Sequence, residues 1–222
     1  MKKYVLINKP TGWTSFDVVA YIRNRVRAND PEHRKEKVGH AGTLDPFATG
    51  LLIVGIGREA TKDLDGFKAL PKTYVAIIHL GAVSDTLDSA GKIKENFVPI
   101  KNQPDLEVVQ SILQSFLGPQ KQIPPMYSAK QVNGKRLYDL ARKGMEVERE
   151  PALIEIYDLK LLEYSWPMLK IEVTCSAGTY IRTIANDLGQ KLGVGAFCQD
   201  LVRTKIGDYR LEDAVLPQDF KP

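Results

Sequence analysis

A single carboxylate, Asp45, stands in a segment that reads GHAGTLDPFATG from Gly39 to Gly50. Pro46 biases Asp45 toward an extended or turn conformation, and the glycines permit tight turns at the edge of apolar sequence. A carboxylate presented by such a loop is a candidate for covalent or acid–base catalysis. It can equally be a turn aspartate that bonds to its own backbone. The spacing alone leaves both interpretations open.

Metal and nucleotide chemistry are less well supported. The histidines and cysteines lack metal-ligand spacing, so no metal is expected; they are His33, His40, His79, Cys175 and Cys198. Asp85 and Asp88 lie in a sequence typical of a polar turn. Gly55 and Gly57 fit the dinucleotide pattern G-x-G-x-x-A, but no acidic residue follows about twenty residues later. A nucleotide-cofactor enzyme remains an alternative that NAD binding would reveal.

Composition indicates a globular protein with a slightly basic surface. The 222 residues carry a net charge of +4 with a pI near 8.9, which is compatible with a polyanionic partner. Two segments, 21–40 and 121–150, each have a surplus of three basic residues, although charge alone favours an ordinary solvated face. No membrane segment or signal peptide is recognisable. We therefore expect a cytoplasmic protein with no membrane association.

Secondary structure can be predicted along most of the chain. Thr14–Asp17 predicts a capping box that opens a helix with outward arginines, after a strand over 4–8. Apolar patterns predict further strands and helices. The strands cover 51–56, 73–80, 154–164, 169–175 and 197–206, and the helices cover 104–116, 137–143 and 181–192. Because strands and helices do not alternate strictly, the fold class is α+β with a mixed sheet.

An ordered series of motifs resembles the TruB family of pseudouridine synthases. GHAGTLDPFATGLL and GREATK are followed in family order by KTY, SDTLD, PPMYSA, GKRLY, ARKG and CSAGTYIR. The likeness extends from Tyr4 to Ala214. It implies a pseudouridine synthase fold, with a mixed, mostly antiparallel central sheet flanked by helices and loops. It also implies one catalytic domain over 1–222 with an RNA-binding thumb at about 121–150.

The same resemblance implies isomerisation of uridine 55 in the T loop of tRNA, with neither cofactor nor metal. Asp45 acts at C1′ of the ribose, Arg182 pairs with it, and Tyr74 stacks on the flipped uracil. Tyr180 and Leu201 line the pocket, and His40 fills the gap that the flipped base leaves. Thumb residues contact RNA phosphates, and they are Lys130, Lys135, Arg136 and Arg142.

The expected partner is the T arm of tRNA, bound by a monomer that requires no protein partner. Many family members continue into a small RNA-binding PUA domain, whereas this chain ends at Pro222, so we expect a weaker grip on the acceptor stem. Gln131 stands where relatives commonly have a lysine. Two alternatives within the resemblance are a guide-RNA-dependent pseudouridylase subunit and a non-catalytic RNA chaperone.

Overall fold

The computed structural model describes residues 3–29, 36–96, 98–128, 130–132, 134–141 and 143–222, with backbone alone at 100, 131, 132, 135 and 136. The chain forms two compact units. Unit 1 comprises the described residues up to Val75 together with Leu201–Pro222, and unit 2 is Ala76–Asp200. The division falls inside two strands, so each of those strands contributes residues to both units.

The elements alternate irregularly along the chain. In order, they are β1 (Lys3–Lys9), α1 (Ser15–Asn29), β2 (Val38–His40), β3 (Thr49–Ile56), α2 (Arg58–Lys62), α3 (Leu64–Ala69), β4 (Lys72–Leu80), β5 (Ala82–Ser84), β6 (Ile93–Glu95), α4 (Leu106–Gln114), β7 (Gly118–Gln122), β8 (Gln131–Val132), β9 (Lys135–Arg136), α5 (Leu137–Ala141), β10 (Ala152–Ser165), β11 (Met168–Cys175), α6 (Ile181–Lys191), β12 (Ala196–Ile206) and β13 (Tyr209–Arg210). Short 3-10 turns cover Ile100–Asn102, Leu211–Asp213 and Pro217–Asp219.

Unit 1 is organised around β3. This strand pairs antiparallel with β1 and with β2, and parallel with β12, where Arg203 lies opposite Gly50. Alternate β3 side chains enter two different clusters: Leu52 packs with the α1 stripe, whereas Leu51 packs with Leu64 of α3. Burial on both faces explains why the sequence of β3 is continuously apolar.

Helix α1 begins where the capping box predicted. The Asp17 carboxylate accepts the Thr14 amide at 2.7 Å, and the Asp17 amide donates to the Thr14 hydroxyl at 3.0 Å. Val18, Ile22 and Val26 form the buried stripe of this helix. These reciprocal bonds satisfy amides that the first helical turn leaves unpaired, so the prediction for α1 is confirmed.

Unit 2 contains the strand order β4-β11-β10-β7, with the β10–β11 hairpin as its longest ladder. Strand β7 was not predicted, and the expected start of helix α4 was wrong. Gly118–Gln122 forms β7 and pairs with β10. Pro119 is compatible with this strand because an edge position does not require every N–H. Helix α4 begins after Asp105, whose carboxylate accepts the Val108 amide at 2.8 Å, so Pro104 precedes the helix.

The mixed sheet pairing confirms the α+β class. The β3–β12 pair is parallel, whereas the β1–β3, β10–β11 and β7–β10 pairs are antiparallel. The two short helices after β3, α2 and α3, were not predicted. No helix in the described ranges is both long enough and apolar enough to cross a bilayer.

Candidate active site

Asp45 lies half-buried in an irregular loop, residues 41–48, between β2 and β3 of unit 1. The amide of Ala48 donates to the Asp45 carbonyl at 3.1 Å, which closes a four-residue turn that begins at Asp45. At the start of the loop, the Ala41 amide donates to the carbonyl of Ile53 at 2.9 Å. The turn conformation expected for Asp45 is therefore present.

The segment after β1 fixes this loop through a series of hydrogen bonds. The Ser15 hydroxyl accepts the Leu44 amide at 2.8 Å, and the Gly12 amide donates to the Pro46 carbonyl, also at 2.8 Å. The Thr11 hydroxyl donates to the carbonyl of Phe47 at 3.3 Å. The Ser15–Leu44 bond is buried, and the three bonds together attach the loop to the segment after β1 at Leu44, Pro46 and Phe47.

Lys9 is a fully buried cation beneath the same loop. Its ammonium donates to the carbonyls of Trp13 at 2.7 Å and Pro10 at 3.0 Å, and lies 3.4 Å from the carbonyl of Pro46. Burial lowers the pKa of Lys9 to about 8, while the carboxylate of Asp45 acts to raise it. The two groups are thus close enough to interact, and their attraction favours the charged form of each.

Arg203 of β12 holds the loop from another strand. Its side chain is 1% exposed, with Nε donating to the Leu51 carbonyl at 2.8 Å and Nη2 to the Gly42 carbonyl at 3.1 Å. At Gly50, which has φ of +107°, a Cβ would lie 2.4 Å from the Arg203 carbonyl oxygen. Glycine is required here because the two backbones approach so closely.

Tyr74 and Leu201 come from neighbouring strands of unit 1. The strand order in this region is β3-β12-β4, which places the β12 residue Leu201 on the strand between the end of the Asp45 loop and the strand that carries Tyr74. Both side chains are buried, with exposures of 9% for Tyr74 and 6% for Leu201. The Thr204 hydroxyl joins β12 to β4 by donating to the Thr73 carbonyl at 3.3 Å.

His40 is the last residue of β2, five positions before Asp45. Burial lowers the pKa of His40, and the positive charges of Arg203 and Lys68 lower it further, while a hydrogen bond with the Gly42 backbone opposes them. The ring is therefore neutral at physiological pH. A neutral imidazole is suited to stacking or insertion between bases rather than to ion pairing with phosphate.

In unit 2, Arg182 is a buried cation near the start of α6. Its Nη1 lies 3.3 Å from the Asp88 carboxylate and donates to the Thr86 carbonyl at 2.9 Å, and its Nη2 donates to the Tyr127 carbonyl at 2.8 Å. Only 2% of Arg182 is exposed. Its pairing with Asp45, a residue of unit 1, stays a prediction.

Tyr180 precedes the first turn of α6. Gln122 of β7 fixes its backbone, because the Gln122 amide donates to the Tyr180 carbonyl at 3.0 Å and the Tyr180 amide donates to Gln122 Oε1 at 2.8 Å. The tyrosine side chain is partly exposed. Tyr180 and Arg182 are thus brought together at one end of α6.

The predicted thumb contains a small ribbon, β8–β9, followed by α5. Lys130 is exposed next to this ribbon, and its carbonyl accepts the Leu137 amide at 2.9 Å. Lys135 and Arg136 contribute backbone to β9, whereas Arg142 lies outside the described residues. A turn at Gly144 ends the α5 region, as expected. RNA contacts of this segment stay predictions.

Comparison with known proteins identifies the family. A profile described as TruB family pseudouridylate synthase, N-terminal domain, matches residues 32–181, and a tRNA pseudouridylate synthase B C-terminal domain profile matches 182–222. The chain belongs to the TruB family. It is 46% identical over 213 residues to a tRNA pseudouridine synthase B of Bacteroides fragilis, covering 96% of this chain and 90% of that protein. The corresponding protein of Protochlamydia amoebophila is 44% identical, with coverages of 95% and 76%.

Solved structures support the same fold. The structure of a Cbf5-Nop10-Gar1 complex matches 97% of this chain with 27% identity and a TM-score of 0.69. That of an archaeal box H/ACA sRNP Nop10-Cbf5 complex matches with 26% identity and a TM-score of 0.65. The chain spans about half the length of the matched chains, 52% and 51% respectively. The predicted pseudouridine synthase fold is confirmed.

The TruB resemblance did not reveal which side chains hold the site residues in place. Lys9, Ser15 and Arg203 fix the Asp45 loop, and Asp88 pairs with Arg182. The buried lysine and arginine had little signal in the sequence, because β1 and β12 both contain other polar residues. Among the described residues, no group of three or more His, Cys, Asp or Glu could hold a metal ion.

Proposed function

We propose that this TruB protein isomerises uridine to pseudouridine at position 55 in the T loop of tRNA, without cofactor or metal. The observation that carries the proposal is the position of Asp45, held on a fixed loop beside buried Lys9 in a chain of this family. The curated relatives with 44–46% identity are named tRNA pseudouridine synthase B. This naming supports a tRNA substrate over the guide-RNA alternative.

The reaction breaks the bond between N1 of uracil and C1′ of ribose and then joins C5 to C1′, while C5 loses a proton and N1 gains one. A carboxylate beside C1′ has a direct role in this exchange. Asp45 either adds covalently to C1′ or stabilises positive charge there and accepts a proton. Both routes require the ionised carboxylate, which the positive charge of Lys9 favours. Because the loop is fixed, the carboxylate needs little reorganisation before it reacts.

The flipped uracil needs a pocket outside the base stack. In the proposal, Tyr74 stacks on the uracil and Leu201 and Tyr180 form further walls, while Arg182 pairs with Asp45. The buried positions of Tyr74 and Leu201 on adjacent strands support this assignment. Neutral His40 fills the gap that the extruded base leaves in the RNA.

The thumb supplies phosphate contacts in this proposal through Lys130, Lys135, Arg136 and Arg142, while RNA shape selects the T loop. The protein acts as a monomeric catalytic domain in the cytoplasm and requires no protein partner. The exposed position of Lys130 beside the β8–β9 ribbon supports the thumb contacts.

An assay on an unmodified tRNA transcript tests the function. Purified protein without added cofactor should convert one T-loop uridine, detected by nuclease digestion and mass-resolved chromatography after pseudouridine-specific labelling. Asp45→Asn should abolish turnover while tRNA binding is retained, and Asp208→Asn, at an exposed turn position, should leave turnover unchanged. Folded wild-type protein that leaves this uridine unmodified would refute the proposal.

Two comparisons refine the mechanism and the alternatives. Tyr74→Phe tests whether the Tyr74 hydroxyl also transfers the proton that C5 loses, because proton transfer needs the hydroxyl whereas stacking needs only the ring. If the protein were a non-catalytic RNA chaperone, wild type and the Asp45→Asn variant would bind and refold tRNA equally well, and neither would produce pseudouridine. The same two proteins therefore distinguish the enzyme from the chaperone.

A further inference from the structure

A cleft of about 720 Å³ lies in unit 1, away from the thumb in sequence. Strand β2 forms one part of its lining and ends in the cleft at His40, while α1, α2 and α3 supply the surrounding residues. Six of the lining side chains are cationic. They are Arg23, Arg27, Lys37, Arg58, Lys62 and Lys68.

The charge of the lining restricts what the cleft can bind. Among the described residues that line the cleft, Glu36 is the acidic one, so six cations there accompany one carboxylate. Lys68 additionally pairs with Asp65 at 2.8 Å on the exposed surface of α3. Pockets for small molecules are mostly apolar with a few polar groups, whereas a concentration of Lys and Arg attracts a chain of phosphates.

The arginines of α1 divide into two roles. Arg25 donates to the carbonyls of Gln218 and Phe220, both at 3.2 Å, and so attaches the last residues of the chain to the helix. Arg23 and Arg27 are one helical turn apart, which places them on the same face, and both line the cleft. The sequence predicted that the arginines of this helix face outward. Arg25 departs from that prediction, because its guanidinium bonds to the last residues of the chain.

We propose that this cleft, formed by α1, β2, α2 and α3, binds a stretch of the sugar–phosphate backbone of the substrate RNA. The inference rests on the proposed function and adds a second grip to that of the thumb. Arginine suits this role because its planar guanidinium bonds phosphate oxygens in pairs. Such contacts set the position of the RNA without reading its sequence.

The cleft connects directly to the catalytic loop through the chain. His40 lines the cleft, and Asp45 follows five residues later on the loop fixed by Arg203 and Lys9. A backbone segment held between α1 and α2 is therefore held beside the residue assigned to fill the gap in the base stack. RNA bound in the cleft would thus place the target base next to His40 and the Asp45 loop.

The test compares tRNA affinity across salt concentrations for wild type and Arg23→Gln/Arg27→Gln. Each phosphate contact makes the plot of the log association constant against log salt concentration steeper by roughly 0.7 to 0.9. Loss of two contacts should therefore reduce the steepness by about 1.5 and raise Kd at least about tenfold at 0.1 M salt. The matched control, Arg210→Gln/Lys221→Gln, removes two exposed charges outside the cleft and should keep the wild-type slope.

Equal slopes for wild type and the folded α1 variant would overturn the proposal, as would an equal decrease in the control. A circular dichroism melt establishes folding, and Arg58→Gln, at an exposed position of α2, provides a second single-contact test with an expected slope change of about 0.8. Binding does not depend on turnover. If wild type bound tRNA through the cleft but formed no pseudouridine, the catalytic proposal would fail while the cleft assignment stood.

Discussion

Replacing Lys9 by Met tests whether a buried cation holds the Asp45 loop. Met keeps a similar length, so the change leaves little cavity but removes two good hydrogen bonds, to Trp13 and Pro10. Bonds from a charged donor contribute roughly 1.5–3 kcal/mol each, which gives about 3–6 kcal/mol. Against this stands the cost of burying the charge. A shift from 10.5 to about 8 corresponds to about 3 kcal/mol, at 1.36 kcal/mol per pKa unit.

The two contributions nearly cancel at pH 7, so Lys9→Met should lower the free energy of unfolding by only about 0–3 kcal/mol. The pH dependence is more informative. The pKa of Lys9 is lower in the folded protein, so between pH 8 and 10.5 the unfolded chain binds more protons. Wild type should consequently gain stability relative to the Met variant as pH rises through this window, by up to about 3 kcal/mol.

Urea unfolding of both proteins, followed by tryptophan fluorescence from pH 7 to 10.5, measures this difference directly. Other lysines and tyrosines titrate in the same range, but their effects cancel between two proteins that differ at one residue. A stability difference that stays constant with pH would show that the Lys9 ammonium is not buried in the folded state. The tRNA assay should show reduced turnover in the variant at pH 7.5, because Pro46 loses its contact with Lys9.

Two further substitutions test other parts of the site by urea unfolding. Asp88→Ala should cost about 1–3 kcal/mol, because the buried Arg182 guanidinium loses this carboxylate but keeps its bonds to the Thr86 and Tyr127 carbonyls; a loss below about 0.5 kcal/mol would argue against a buried pair. Gly50→Ala should cost at least about 3 kcal/mol, because the new Cβ would meet the Arg203 backbone at 2.4 Å. Gly12→Ala is its control, with φ of +78° but no atom within 4 Å, so a loss as large as that of Gly50→Ala would contradict the steric argument.

Local sequence patterns predicted the elements that are stabilised by contacts between residues close in sequence. The capping box at Thr14–Asp17 and the β10–β11 hairpin are present because their partners lie close in sequence. Strand β7 was missed because its pairing with β10 joins residues thirty or more positions apart, and Pro119 weakens its strand pattern. Helices α2 and α3 are only five and six residues long, too short for a clear apolar period.

The candidate site residues were easier to predict from the sequence than the residues that hold them in position. Asp45 stands out through its glycine-rich surroundings, and the family resemblance added Tyr74. The role of Arg203 depends on the carbonyl of Gly42, 161 residues away in sequence, which no local pattern can indicate. Asp88 was expected in a polar turn, and its carboxylate does accept the Ala90 amide at 3.0 Å. Its contact with Arg182 follows from tertiary structure alone.

The fixed loop around Asp45 also has an entropic consequence. Ordering the backbone of one residue costs about 1–2 kcal/mol at 25 °C, so immobilising the eight residues 41–48 only upon RNA binding would cost roughly 8–16 kcal/mol. The bonds from Ser15, Gly12 and Arg203 impose this order when the chain folds. Folding thus supplies the rigidity, and the free energy of RNA association remains available to extract a base from its stack.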